Sequence, residues 1–260
     1  MRSELLAVLL LFGLTASAAE DLNEEPPLPK ASPVISVMEE SLPRAGGVIV
    51  FGGTRGLGLA IVKELVAKKL LVTVMARESS DTAAVKALGA EVVAGDALDP
   101  EAVKKAFTAA PFRVVVSTLG GQDGDYRVDS QGNKNVIDAT KKAGLDRIIL
   151  VTALGSGDSN AGAPWYVKLF MEDYFKAKTE AENHLTASGL NYTIVRPGVL
   201  LDEGTPGEPK YAPTAEGMTG ILRGELAKLV AATVDDIGSF KKTFAAVDTK
   251  RVGLWALLIY

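Results

Sequence analysis

From Gly47 onward, short apolar runs alternate with stretches of helical periodicity, and this alternation constrains the fold more than any other feature. Six runs carry it: 47–51 (GVIVF), 70–75 (LLVTVM), 91–94 (EVVA), 114–117 (VVVS), 147–152 (RIILVT) and 192–195 (YTIV). They are β-branched and apolar on consecutive positions, as strands covered on both faces must be. Residues 56–69, 81–88, 99–109, 129–143 and 166–188 read as the helices between them. Strand, helix and strand repeated this often predict an α/β fold, a Rossmann-type doubly wound parallel sheet in three α/β/α layers. After Arg196-Pro197-Gly198 the pattern loosens. Residues 202–213, rich in glycine, proline and charge, read as a mobile loop, followed by a helix near 222–234 and a strand near 243–247. The length beyond the sixth run leaves room only for a small C-terminal appendage. The apolar residues 252–260 are expected to pack against the domain.

The first 45 residues have a different pattern. Arg2 precedes an apolar run over 5–14, and Thr15-Ala16-Ser17-Ala18-Ala19 then supplies small residues. Such a run is too short to cross a ~30 Å hydrocarbon core as a helix. Residues 1–19 therefore read as a signal peptide cut near Ala18 or Ala19. On that basis the chain is exported, to a periplasm or outside the cell. If the segment is not removed, the protein is cytoplasmic or membrane-tethered. Residues 20–45 carry Pro26, Pro27, Pro29, Pro33 and Pro43, which break helix and sheet alike, so this stretch is a tether. The folded domain is expected over 46–260.

Composition removes several function classes. A formal charge of -4 leaves no basic face for nucleic acid. The chain has no cysteine and a single histidine, His184, which argues against zinc, iron–sulfur and thiol chemistry, so no metal site is expected.

The strongest local signal is Phe51-Gly52-Gly53-Thr54-Arg55-Gly56-Leu57-Gly58, placed after the first strand and opening the first helix. Glycines there permit a tight turn, let backbone approach a diphosphate and let helix pack close on strand. Free N–H groups and the helix dipole then attract the phosphates. Gly52, Gly53, Thr54, Arg55, Gly56, Leu57 and Gly58 are thus candidate contacts to a nicotinamide dinucleotide. Which dinucleotide depends on the end of the second strand, where an acid favours NAD(H) and an arginine favours NADP(H). That strand ends Val74-Met75-Ala76-Arg77, and Arg55 lies within reach of the same phosphate. NADP(H) is expected over NAD(H), because a guanidinium fits phosphate well.

These motifs resemble the short-chain dehydrogenase/reductase superfamily and, within it, the atypical NmrA-like NAD(P)H-binding group, over about residues 46–250. Gly52, Gly56 and Gly58 match the superfamily's Gly-x-x-x-Gly-x-Gly. Gly95-Asp96-Ala97-Leu98-Asp99 is similar to the turn after the third strand, so Asp96, Ala97 and Leu98 are implied adenine-side contacts. Ser117-Thr118-Leu119-Gly120 ends the fourth strand, where members hold the nicotinamide-side ribose. Residues 129–139 (DSQGNKNVIDA) resemble the next helix of the family. Residues 177–182 (AKTEAE) and 188–198 (SGLNYTIVRPG) resemble the closing signature, which makes Pro197, Gly198 and Val199 cofactor-side residues.

The resemblance also implies a catalytic set. Tyr174 and Lys178 stand four apart on a predicted helix, hence on one face. In the superfamily a Tyr-x-x-x-Lys pair delivers the proton during hydride transfer, the lysine lowering a phenol pKa of about 10 and also holding the ribose. The third member orients the substrate carbonyl. Thr152 occupies that place, with Ser156 in reserve, and the Thr152-Ala153 pair departs from the usual serine.

The expected activity is reduction or oxidation of a small carbonyl or quinone-like substrate with NADP(H). The same fold also serves non-catalytic NAD(P)H-binding sensors or scaffolds. Nucleotide-sugar epimerases share it too, but usually carry a larger C-terminal substrate domain. A small molecule is the expected partner, with no membrane span in the mature form; a protein partner or homodimer stays open.

Overall fold

The structure, a computed structural model, describes residues 46–121, 124–213 and 220–250. The expected signal peptide, the tether and the apolar 252–260 segment lie outside the described residues. Five apolar runs form strands buried along their whole length or nearly so: β1 (Gly47–Phe51), β2 (Val72–Ala76), β4 (Phe112–Ser117), β5 (Arg147–Val151) and β6 (Asn191–Pro197). The run at β3 (Glu91–Ala94) is only half-buried, as befits the edge of a sheet. With β10 (Lys242–Asp248) these strands are parallel, in the order β3-β2-β1-β4-β5-β6-β10.

Alternate residues of each strand feed opposite layers. Val48, Val50, Val74, Val116 and Val151 face α1 (Gly56–Ala67), α2 (Ala83–Ala87) and α6 (Arg223–Thr233). Ile49, Phe51, Val115, Ile148 and Leu150 face α3 (Pro100–Ala106), α4 (Asn133–Lys142) and α5 (Trp165–Ala187). This is the three-layer sandwich that apolar runs with no polar face require.

Two local expectations need correction. Residues 202–213 are not loop throughout: β8 (Pro209–Ala212) pairs antiparallel with β10 at the other edge of the sheet. Proline and lysine are tolerated there because an edge strand bonds on one side only. The helical segment expected over 129–143 opens with a π-helical stretch, Val128–Gly132, before α4 begins. The small appendage consists of β7 (Val199–Leu201) and β9 (Gly220–Leu222), paired parallel as a separate ribbon.

The order β2-β1-β4 matters most for function. The chain leaves β1 toward β2 and β3, then returns to β4 on the other side of β1. The loops beyond β1 and β4 therefore diverge, which opens a crevice at the carboxyl ends of the strands.

Candidate dinucleotide and substrate cleft

A cleft of about 1000 Å³ lies at that switch point. Its wall is built at the carboxyl ends of successive strands: Gly52 and 54–58 after β1, Ala76, Arg77 and 79–81 at β2, Gly95–Ala97 after β3, and 118–121 after β4, completed by Thr152 after β5 and Pro197 at β6.

The glycine loop is shaped by contacts that only glycine allows. Gly52 has φ +83 and Gly56 φ +52. A Cβ on Gly58 would stand 2.0 Å from Gly52 O, so the third glycine is the point where α1 meets the loop. The Thr118 N–H donates to Phe51 O at 2.9 Å and Thr118 Oγ1 to Gly52 O at 3.1 Å, tying the loop to β4. The first turn of α1 has no side-chain cap and no acidic residue. Its N–H groups are left for an anion, and the helix dipole favours one there. That uncapped turn, the glycine-only cradle and a cleft of this volume fit a dinucleotide.

Arg77 and Arg55 are both exposed on the cleft wall, as Asp96 is. Asp96 Oδ1 accepts the Leu98 N–H at 2.9 Å and so holds its own turn. Ala97, Leu119 and Gly120 also line the cleft, as do Thr54 and Leu57. Gly53, Leu98, Ser117, Gly198 and Val199 are not part of that wall. Gly53 packs on Val74, and the fully buried Ser117 Oγ donates to Asn133 Oδ1 at 2.6 Å. Sequence reasoning missed Arg223, which comes after β9 at the start of α6. It lines the cleft and ion-pairs with Asp202, and its Nε is the nearest heavy atom to a Cβ placed on Gly56, at 3.9 Å.

At the other end, α5 carries Tyr174 and Lys178 on the cleft wall. Lys178 Nζ donates to Leu119 O at 2.6 Å and pairs with Asp129 Oδ1 at 2.9 Å. Both side chains are nearly inaccessible, at 4% and 0%. Asp129 Oδ2 also accepts the Gly121 N–H at 2.6 Å, so one carboxylate fixes both the lysine and the loop after β4. It lies in the π-helical stretch, and nothing in the sequence pattern singles it out. The ammonium stands 5.7 Å from the Tyr174 ring centroid.

Tyr174 is half-buried against Tyr126 and Phe175, with ring centroids 5.5 and 5.6 Å away. Burial raises its pKa above the ordinary value, and the Lys178 charge opposes this without reversing it. The expected lowering of the phenol pKa is therefore not what the site produces. The Lys178 charge is largely matched by Asp129, which itself pushes the phenol up.

Thr152 has a different partner from the one expected. Its Oγ1 donates to Glu182 Oε1 at 2.6 Å. Glu182 is clamped by Arg196, Nε to Oε1 at 3.0 Å and Nη2 to Oε2 at 2.7 Å, and Arg196 reaches on to Asp158. Burial weakens the guanidinium's hold on its proton, yet Glu182 and Asp158 outweigh it and leave the Arg196 pKa above its usual value. Ser156 is fully buried away from the cleft, and His184 pairs with Asp138 at 2.7 Å, far along α5 from Tyr174. Among the described residues no His, Cys, Asp or Glu cluster is placed to hold a metal, and no helix is long and apolar enough to cross a membrane.

A doubly wound sheet with a glycine cradle at its switch point defines a dinucleotide-binding protein of the Rossmann type. Residues 52–237 match the NAD(P)H-binding family model, and the chain belongs to that family, an NmrA-like branch of the short-chain dehydrogenase/reductase proteins. It is 32% identical over 179 residues to YhfK of Bacillus subtilis (strain 168), described as an uncharacterized sugar epimerase, covering 66% of this chain and 80% of YhfK. It is 31% identical over 153 residues to the photosystem II assembly factor Ycf39 of Cyanophora paradoxa, 57% of this chain but only 44% of that longer protein. The solved structure of ChuY, an anaerobillin reductase from Escherichia coli O157:H7, superposes with a TM-score of 0.67 at 29% identity, over 79% of this chain and 97% of ChuY.

Proposed function

We propose that this protein is an NADP(H)-dependent oxidoreductase that reduces a small carbonyl or quinone-like substrate, with Tyr174 as the proton donor. One observation carries this: the Tyr174–Lys178 pair stands on the wall of the same cleft into which the uncapped turn of α1 opens. A bound reduced nicotinamide would supply hydride. The chain's own residues would do the rest. The glycine loop and the first turn of α1 hold the diphosphate, and Arg77 and Arg55 hold a 2′-phosphate. Lys178, fixed by Leu119 O and Asp129, presents its remaining N–H to a ribose hydroxyl. Among the described residues no protein group takes the Tyr174 hydroxyl proton, so it is free for a substrate oxygen. Its raised pKa keeps that proton in place at neutral pH.

The test is Tyr174→Phe. We expect NADPH affinity within twofold of wild type, because the ring stays packed, and turnover lower by about 10²-fold or more, the usual worth of a positioned acid. Unchanged turnover would remove Tyr174 from the mechanism. Tight NADPH binding with no consumption across a panel of ketones, aldehydes and quinones would favour a second function, a non-catalytic NADP(H)-responsive binding protein. One observation favours that alternative: Thr152 gives its proton to Glu182 and not to the cleft.

A further inference from the structure

Thr152, the residue directly after β5, lines the cleft together with Val151, Tyr174 and Pro197. A threonine hydroxyl has one proton and two lone pairs. Here the destination of the proton is fixed by chemistry. Glu182, 3% exposed and gripped by two Arg196 N–H groups, is a carboxylate, and a carboxylate only accepts. At 2.6 Å the Thr152 O–H must therefore point at Glu182 Oε1, away from the cleft.

The surroundings keep that geometry. Asp158 pairs with the other end of Arg196. Gly157, at φ +56, brings backbone close enough that a Cβ would lie 2.2 Å from Arg196 Nη2 and 2.6 Å from Glu182 Oε2. The Thr152 N–H is occupied too, donating to Val195 O at 2.8 Å. What Thr152 offers to a substrate is lone pairs alone.

We propose that Thr152 selects substrates carrying a hydroxyl or N–H next to the reducible carbonyl, which its lone pairs accept, and does not itself donate to the carbonyl. The carbonyl oxygen is then served by Tyr174, and the neighbouring donor by Thr152. Glu182 is the positioning residue that enforces this polarity. The inference rests on the oxidoreductase function above and narrows its substrate class to α-hydroxy or α-amino carbonyl compounds and their N–H heterocyclic equivalents.

The experiment compares α-hydroxyacetophenone with its methyl ether, α-methoxyacetophenone, on the full NADPH-loaded chain. Binding is measured by calorimetry and turnover separately by NADPH absorbance. We expect the hydroxy ketone to bind about tenfold tighter than the ether, since the ether leaves a buried acceptor unpaired. Thr152→Val keeps the shape and should bring the affinity ratio close to one, while Thr152→Ser should restore it. Glu182→Gln leaves one accepting oxygen to serve both Thr152 and Arg196, loosens the hold on the threonine proton, and should lower the preference for the hydroxy ketone. Circular dichroism confirms that each variant is folded. Equal affinity for the pair in wild type, no binding of either, or a ratio untouched by Thr152→Val overturns the inference. The expected affinity ratio without any NADPH consumption would leave the donor selectivity standing and overturn the reductase assignment instead.

Discussion

A Cβ on Gly58 would meet Gly52 O at 2.0 Å and Thr118 Oγ1 at 2.7 Å, and the backbone atom cannot move without opening the diphosphate cradle. Gly58→Ala should therefore lower stability by about 1–3 kcal/mol, the range for forced overpacking, and weaken NADPH by at least about tenfold. Thermal melting and calorimetry on the same variant check both effects; an unchanged NADPH affinity would mean that the loop does not touch the cofactor. Tyr174 gives a second residue-scale expectation. Its proton-donating form is the neutral phenol, and burial moves its pKa upward from 10. The kcat/KM for reduction should stay flat through neutral pH and fall only in alkaline solution, where the phenol ionises. A decline beginning near pH 8 would contradict that. The glycine loop is legible in the sequence because its glycines sit within a few residues of one another, and Tyr174 and Lys178 because they stand four apart on one helix. Asp129 and Arg223 are not. Asp129 lies 49 positions before Lys178 and Arg223 far beyond Gly56, and only the sheet order brings them together. Thr152 can be picked out by its place after the fifth strand, but its proton's direction depends on Glu182 and Arg196, which sequence spacing does not join.

Among the elements, the buried strands can be read from their composition, because short, β-branched apolar runs alternating with helical stretches are what strands covered on both faces require. β8 cannot, since Pro209 and Lys210 on a one-sided edge look like loop. The kink of α5 at Met171, with φ -122 and ψ 16, also leaves no mark in the hydrophobic period. Arg147, at the start of β5, shows what apolar patterning overlooks inside an element. Its buried guanidinium donates to Asn191 O at 3.1 Å, Thr193 Oγ1 at 2.8 Å, Thr233 O at 2.8 Å and Ser239 Oγ at 3.0 Å, and lies 4.6 Å over the Phe240 ring. It joins β5, β6, the end of α6 and the 237–239 turn. Burial pushes its pKa down to about 10, which still leaves it charged at neutral pH. Arg147→Leu removes all four donors and leaves buried oxygens unpaired. We expect a loss of about 2–4 kcal/mol in urea unfolding. NADPH affinity should not change, because Arg147 lies at the amino end of its strand and the cleft at the carboxyl ends. A parallel loss of NADPH affinity would show that the two ends of the sheet are coupled.

At the scale of the whole molecule, a chain of net charge -4 has to attract a cofactor bearing several phosphate charges, so the attraction must be local. Of the three arginines on the cleft wall, Arg77 and Arg223 should divide that work by position. Arg77 directly follows β2, the position that the proposed function gives to the adenosine ribose, and Arg223 stands over the glycine loop, which the same proposal gives to the diphosphate. NADPH and NADH differ only in the 2′-phosphate, so the two side chains should separate cleanly. A ligand that binds only the folded state stabilises it by about 2.7 kcal/mol at a concentration 100 times its Kd, which makes melting temperature a direct measure of affinity. Wild type should be raised more by NADPH than by an equal concentration of NADH. Arg77→Gln should bring the NADPH shift toward the NADH level, with Arg55 keeping part of the difference, and leave the NADH shift alone. Arg223→Gln should reduce both, each by roughly the tenfold in affinity that one charge-assisted hydrogen bond is worth. If wild type responds equally to the two cofactors, the preference for the 2′-phosphate is wrong while the dinucleotide cradle stands; if it responds to neither, the cradle itself does not bind a dinucleotide.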